Sequence, residues 1–264
     1  MSDINDARLW YNTLRNFDYK SKYTKRKYLY GSYHNHMFGM RNVCILNSKI
    51  YDSIDVRVTL PNGGLSTIHI RNAPIQLSNE ILKMQHLLTN TCKSNCRSTT
   101  GDLGRMYSSG RRGKCDEYAS SKKNMDVQKQ MSVIGQMRKQ WYDSVFPKSE
   151  SRFITKNKSL PYMTDTLSDF MVHSVALVNS SHYDVNDDTI TITTWVEDTD
   201  GNTNNWYLVF PSLSIDESDG TAIQLHHGCT ISWDAAELRH ASSRVEYSDD
   251  NSESSGNCDT RKND

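Results

Sequence analysis

Between residues 53 and 72 the chain alternates apolar and polar positions, reading "SIDVRVTLPNGGLSTIHIRN". Ile54, Val56, Val58 and Leu60 fall at every second place, "PNGG" interrupts, and Leu65, Ile68 and Ile70 resume. A period of two sets side chains on one face of an extended strand, so the stretch predicts a β-hairpin with one buried face. The period then lengthens. In "LSNEILKMQHLLTN" (77–90), Ile81, Leu82, Met84, Leu87 and Leu88 recur at helical spacing, which predicts an amphipathic helix with Ser78 as its cap. A further helix is expected over about 123–145, ended by Pro147.

From residue 170 onward the texture is that of short strands. "FMVHSVALVN", "DTITITTWVED", "NWYLVFPS", "TAIQLHHGCTISWD" and "LRHASSRVEY" are β-branched or aromatic runs, with turns at "TDGNTN" and "DESDG" between them. Antiparallel β structure follows, as a sandwich or a double-stranded barrel. Residues 91–122 are rich in Ser, Thr, Gly, Lys and Arg and show neither period, which reads as a mobile basic loop. Its "GRRGK" lacks the P-loop spacing GxxxxGK[ST]. The expected organisation is a basic aromatic arm at 1–50, one α+β domain at 51–247, and a disordered acidic and polar tail at 248–264.

Composition adds constraints. A hydrophobic fraction of 36% is low, yet fourteen tyrosines and five tryptophans can furnish a core. No run approaches the roughly 18 apolar residues of a membrane span, which excludes a helical membrane protein. The opening "MSDINDARLWYNTLRNF" has no apolar signal segment, so an intracellular protein, cytoplasmic or nuclear, is expected. The six cysteines (44, 92, 96, 115, 229, 258) form no pair of CxxC knuckles and read as free thiols. A net charge of zero hides a strong polarity. Residues 1–160 hold 27 Lys+Arg against 12 Asp+Glu, a net +15, and residues 161–264 hold 4 against 19, a net −15. Two readings are open: basic residues 1–160 contact a nucleic acid, or two halves of one fold attract each other. The interleaved lysines and tyrosines of "YKSKYTKRKYLY" suit phosphates and base faces in the first reading.

The chemistry concentrates in "SSHYDVNDDT" (180–189). His182 and Asp184 are two residues apart and so project from one face of an extended chain. His240, 58 residues further on in "HGCTISWDAAELRHASS", can join them from an opposing strand. Two imidazoles and one carboxylate fill one face of an octahedral Fe(II) and leave three positions open. The plain alternative is that His182 and Asp184 cap a turn and His240 is a satisfied core histidine. His226 and His227 are rival ligands of lower rank, Asp187 and Asp188 lie outside the register, and His34 and His36 have no carboxylate beside them.

The stretch 172–243 resembles the core of the Fe(II)/2-oxoglutarate dioxygenase superfamily. Within it, it is most similar to the branch of TET/JBP-type 5-methylpyrimidine-modifying enzymes and their algal relatives. The resemblance rests on Asn179, His182, Asp184, Trp195, Gly228, Trp233 and His240, within "VNSSHYDVNDDTITITTWVED", "NWYLVFPS" and "AIQLHHGCTISWDAAELRHAS". It covers about a quarter of the chain. It implies a double-stranded β-helix of jelly-roll or cupin type, flanked by N-terminal helices and the hairpin. It implies His182, Asp184 and His240 as both metal ligands and catalytic centre, Fe(II) as cofactor, and 2-oxoglutarate or ascorbate as cosubstrate. The reaction implied is oxidation of a C–H bond, on a modified base in DNA that would have to be flipped out of the duplex. Trp233 would pack beneath the site, Tyr183 would point away from it, and Arg239 would face the substrate or make a surface ion pair.

One departure stands out. The superfamily's basic anchor for the far carboxylate of 2-oxoglutarate falls nine to sixteen residues beyond the distal histidine. Here that interval is "DDNSESSG", without Arg or Lys. Arg244 is the nearby candidate for binding the cosubstrate, and Arg261 lies in the tail. Three outcomes stay open: Arg244 substitutes, ascorbate replaces 2-oxoglutarate, or the last strand is lost and the protein is inactive. The rival class is a metal-free β-sandwich that serves as a binding module.

Overall fold

A computed structural model describes residues 26–33, 43–49, 53–94, 103–112, 115–145, 160–185, 190–197 and 206–244. Before the first helix come β1 (Arg26–Tyr33), β2 (Val43–Asn47), β3 (Ser53–Thr59) and β4 (Leu65–Asn72). Next come α1 (Ile75–Thr91), β5 (Leu103–Gly110), α2 (Ala119–Lys122) and α3 (Met125–Val145). The remainder is β6 (Phe170–Val178), β7 (Thr191–Thr194), β8 (Trp206–Phe210), β9 (Leu213–Ile215), β10 (Gly220–Gln224), β11 (Cys229–Trp233) and β12 (Ala241–Arg244). The class is mixed α and β, mostly sheet.

Six strands form one sheet in the order β7-β11-β4-β3-β1-β9, four form a second in the order β12-β8-β10-β2, and β5 pairs with β6. β1 runs parallel to β3 and β2 parallel to β10; the other pairings are antiparallel. Apolar residues of both larger sheets share one core. Ile54, Val56, Val58, Ile68, Ile70, Ile231 and Trp233 come from the first, and Leu46, Trp206, Leu208, Phe210 and Ile223 from the second. Burial of these aliphatic and aromatic groups, at roughly 25 cal/mol per Å² of apolar surface, drives the two sheets together. A second core lies under the helices, where Leu77, Ile81, Met84 and Leu88 of α1 meet Val127, Met131 and Ile134 of α3 and Tyr107 and Met171 of the β5–β6 pair.

The hairpin at 53–72 forms as expected, its turn closed by Gly63 N–H to the Leu60 carbonyl at 2.9 Å. Two of its details differ. Leu65 is 75% exposed, because it pairs with Thr59 on the face opposite Ile68 and Ile70. The second face is also partly covered. There His69 Nδ1 meets Asp55 Oδ1 at 2.7 Å, and Arg71 reaches the same oxygen at 2.7 Å.

The expected helix at 77–90 starts earlier. Pro74 is its N-cap and Ser78 is buried inside the first turn, so Ser78 is not the cap. Proline suits a helix start, since its fixed φ is compatible and its missing N–H would find no partner there. The expected basic loop at 91–122 is corrected too: β5 and α2 lie within it. Tyr107, Ser108 and Ser109 of β5 are buried, and the Ser121 hydroxyl of α2 accepts the Gly110 N–H at 2.8 Å. Serines supply hydrogen bonds where composition suggested only a loop. Within the stretch expected as an arm, 26–33 and 43–47 are sheet strands; its remainder and the tail 248–264 lie outside the described residues. No described helix is long and apolar enough to cross a membrane.

Candidate metal centre

The antiparallel bridge between residues 182 and 240 builds the site. His182 N–H donates to the His240 carbonyl at 2.9 Å, and His240 N–H returns the bond at 3.0 Å. Asp184 N–H donates to the Ala235 carbonyl at 2.9 Å, which ties the end of the segment to the loop between β11 and β12. Backbone bonds thus bring together three side chains that lie far apart in sequence. One ligand atom from each of His182, Asp184 and His240 lies within 4.8 Å of the other two. His240 Nε2 is 3.5 Å from Asp184 Oδ2, and His182 Nε2 is 3.8 Å from Asp184 Oδ1.

The hydrogen bonds of the two imidazoles fix which nitrogens face inward. His182 Nδ1 donates to the Ser180 carbonyl at 2.8 Å, and His240 Nδ1 donates to the Leu238 carbonyl at 3.1 Å. A carbonyl oxygen only accepts, so each Nδ1 carries hydrogen and each neutral ring presents the Nε2 lone pair to the cluster. That is the arrangement a metal-ligating histidine requires. Donors bonded to one ion at about 2.0–2.2 Å stand about 3 Å apart when at right angles. The two histidine–carboxylate spacings exceed this by less than 1 Å, and all three donors lie within 4.8 Å of one another. The residues therefore fit a divalent ion in both donor chemistry and reach.

Electrostatics agree with that fit. Contact with His240 holds the Asp184 carboxyl below the ordinary carboxylate range when that ring carries hydrogen on both nitrogens, a positive charge whose place a bound cation would take; partial burial opposes the shift, and the charges of His240, His182 and Arg112 reinforce it. The side chain of His240 is only 7% exposed, whereas His182 and Asp184 are 32% and 28% exposed. One wall is closed and the other is open to an incoming ligand. The closed wall is Trp233, set edge-on to His240 at 5.0 Å and to Phe210 at 5.9 Å. Two buried polar atoms, Trp233 Nε1 and Ser181 Oγ, have no hydrogen-bond partner among the described residues, a state that costs about 1–3 kcal/mol unless another group relieves it.

Other residues singled out in the sequence fall as follows. Trp233 packs against the cluster as expected, and Tyr183 is exposed. The Arg239 guanidinium donates to the Ser181 carbonyl at 3.1 Å. Arg244 lies on β12 with its guanidinium 5.7 Å from the centre of the Trp206 ring. His226 is engaged by Ser48 at 2.8 Å and Asn72 at 2.9 Å, and His227 accepts the Glu197 N–H, so neither joins the cluster. His34, His36, Asp187, Asp188 and Arg261 lie outside the described residues. Arg112, whose charge acts on Asp184, was not anticipated. Its only sequence signal is "GRRGK", which does not show that β5 ends beside the site.

No protein-family model matches the chain, and no curated protein matches it. Among solved structures, the chain is similar to one described as NgTET1 in complex with 5mC DNA. That similarity has 12% sequence identity, covers 79% of each chain and has a TM-score of 0.48. Likeness at this level assigns no activity, and the functional reading is carried by the side chains of this chain. Fold and site together define a mixed α/β protein with a His-Asp-His cluster at the edge of a two-sheet core.

Proposed function

We propose that the chain is an Fe(II)-dependent dioxygenase that oxidises a C–H bond. His182, Asp184 and His240 would hold the metal. The carrying observation is the cluster itself: two Nε2 lone pairs and one carboxylate converge, and both Nδ1 atoms are committed to carbonyl oxygens. Two histidines and one carboxylate with open positions match the ligand set of non-haem Fe(II) oxygenases rather than a closed structural zinc site. The core fits a double-stranded β-helix, since the strands from β7 to β12 alternate between the two large sheets, β7, β9 and β11 in the six-stranded one and β8, β10 and β12 in the four-stranded one.

When bound, Fe(II) would supply oxygen activation, with 2-oxoglutarate or ascorbate as the electron-donating cosubstrate. The chain's own residues have separate tasks. Asp184 supplies the negative charge, His240 the buried ligand and His182 the ligand on the open side. Trp233 keeps water from the closed wall. Arg244 is the proposed anchor for a cosubstrate anion. It follows His240, the residue just before β12, by four positions, an even number that sends both side chains to one face of an extended chain. A guanidinium held over an aromatic ring remains able to grip a carboxylate bidentately. The proposed substrate is a modified base in DNA, and basic residues of 1–160 would meet its phosphates.

Iron binding tests the reading directly. Anaerobic purified protein should take up about one Fe(II) per chain, and His182→Ala or Asp184→Ala should abolish uptake. No iron bound by the wild type would end the proposal. Succinate formation or ascorbate loss then identifies the cosubstrate, and Arg244→Ala should raise the cosubstrate KM with little change in metal content.

A further inference from the structure

The segment that carries His182 does not pair with β12 as an ordinary strand. His182 and His240 exchange both backbone bonds. In a regular antiparallel ladder the next such pair would be Ser180 with Ser242, two residues along each strand. It is not formed. The Ser242 carbonyl instead accepts from Asn179 N–H at 3.3 Å, and Ser242 N–H donates to the side-chain oxygen of Asn179 at 2.7 Å. Ser180 and Ser181 therefore stand opposite Ala241 alone, which is the two-against-one count of a β-bulge.

The displaced acceptor has another use. The Ser180 carbonyl, which a regular ladder would give to Ser242 N–H, receives His182 Nδ1–H at 2.8 Å. One carbonyl thus leaves the ladder to orient the imidazole, and the carboxamide of Asn179 replaces it. The Ser242 hydroxyl reinforces the exchange, lying 2.7 Å from Asn179 Oδ1 and 2.8 Å from the Leu177 carbonyl. On the other side, Arg239 donates to the Ser181 carbonyl at 3.1 Å and holds the outer limb of the bulge.

We infer that Asn179 is a positioning residue for the metal centre: by standing in for the Ser180 carbonyl, it frees that carbonyl to hold His182 with Nε2 facing the metal. The inference deepens the metal reading and rests on it for its consequence, but the claim about His182 can be tested without metal. Without an acceptor at residue 179, Ser242 N–H draws the Ser180 carbonyl back into the plane of the ladder and turns it away from the His182 ring, which loses its hydrogen-bond partner. Outer partners that fix a ligand's orientation change metal affinity by about 10–100-fold.

The test compares the wild type with Asn179→Ala and Asn179→Asp, the latter keeping an oxygen at the same place. Two quantities are read on the full chain: Co(II) affinity by titration, and the ring tautomer of His182 by ¹⁵N NMR of metal-free protein at alkaline pH. Asn179→Ala should weaken Co(II) binding by about 10–100-fold and shift His182 away from the Nδ1–H form. Asn179→Asp should restore both. If Asn179→Ala does not fold, Asn179→Gln, which moves the amide oxygen by one methylene, replaces it in the comparison. An unchanged tautomer in a folded Asn179→Ala protein would overturn the inference. So would a loss that Asn179→Asp fails to restore, since that marks a general packing role. A shifted tautomer in protein that binds no Co(II), wild type included, would uphold the positioning of His182 and sink the metal reading alone.

Discussion

Residue by residue, polar side chains do more of the internal work than the alternation of apolar positions suggests. Asp55, His69 and Arg71 lie on the hairpin face that the period-two pattern leaves to solvent, yet His69 and Arg71 are buried. Arg71 also donates to the carbonyls of Ile54 and Ile70, both at 3.0 Å. Burial pushes the Asp55 carboxyl up, but the bonds and charges of His69 and Arg71 outweigh it and hold the pKa below 3.8. A depressed carboxyl pKa contributes stability that is complete above the unfolded value and is lost as pH falls through the folded one. Asp55→Asn should therefore cost about 3 kcal/mol at pH 6, measured by urea denaturation. It should also flatten the fall in stability that the wild type shows below about pH 4. Equal midpoints for the two proteins at pH 6 would show that this network contributes nothing. The three cluster residues were legible at this scale, because HxD and the distant histidine stand in the flanking context of Trp195, Gly228 and Trp233. The buried network was not, because a charged residue on a strand's second face looks the same in sequence whether covered or bare.

Among the elements, those with a clean period were readable and those held by polar contacts were not. The hairpin and α1 follow directly from apolar spacing at two and at three to four. β5, "LGRMYSSG", has no such signal. It becomes a strand because β6 offers a ladder and because Gly104 and Gly110 allow close approach at either end. Both glycines have positive φ, +103° and +82°. A Cβ at Gly110 would stand 1.9 Å from the Asp169 carbonyl oxygen and 2.8 Å from the Met131 methyl. The first contact is with backbone and cannot be relieved by a rotamer change. Gly110→Ala should therefore destabilise the protein by at least about 2 kcal/mol, read as a lower thermal midpoint. It should also weaken metal binding, because Arg112, whose charge acts on Asp184, leaves the sheet two residues later. A variant that melts with the wild type would mean that β5 can move off β6 without cost.

For the whole molecule, the opposite charges of the two halves take on a structural meaning. β1 pairs with β9, β2 with β10, β4 with β11 and β5 with β6, so strands from the basic half lie against strands from the acidic half in every sheet. Arg111 with Asp169 at 3.6 Å and Lys139 with Asp165 at 3.4 Å are ion pairs that cross between the halves. Sequence counts alone could not choose between mutual attraction and a nucleic-acid surface, because pairing between distant strands leaves no mark in composition. The interleaving makes a definite prediction about folding. A fragment of residues 1–160 would keep β1, the β3–β4 hairpin and α1 but lack β11 and β9, which border β4 and β1, leaving open edges and half of the shared core in water. A fragment of 161–264 would lack β4 and β2, which border β11 and β10. Expressed separately, neither should show a cooperative thermal transition by circular dichroism. Expressed together, they should associate and recover it, and the association should weaken as salt rises, because the attraction between the halves is screened over about 10 Å at 0.1 M. A cooperative transition in residues 161–264 alone would show that the acidic half is an independent domain. The His182–Asp184–His240 cluster, drawn entirely from that half, would then owe nothing to the basic strands beside it.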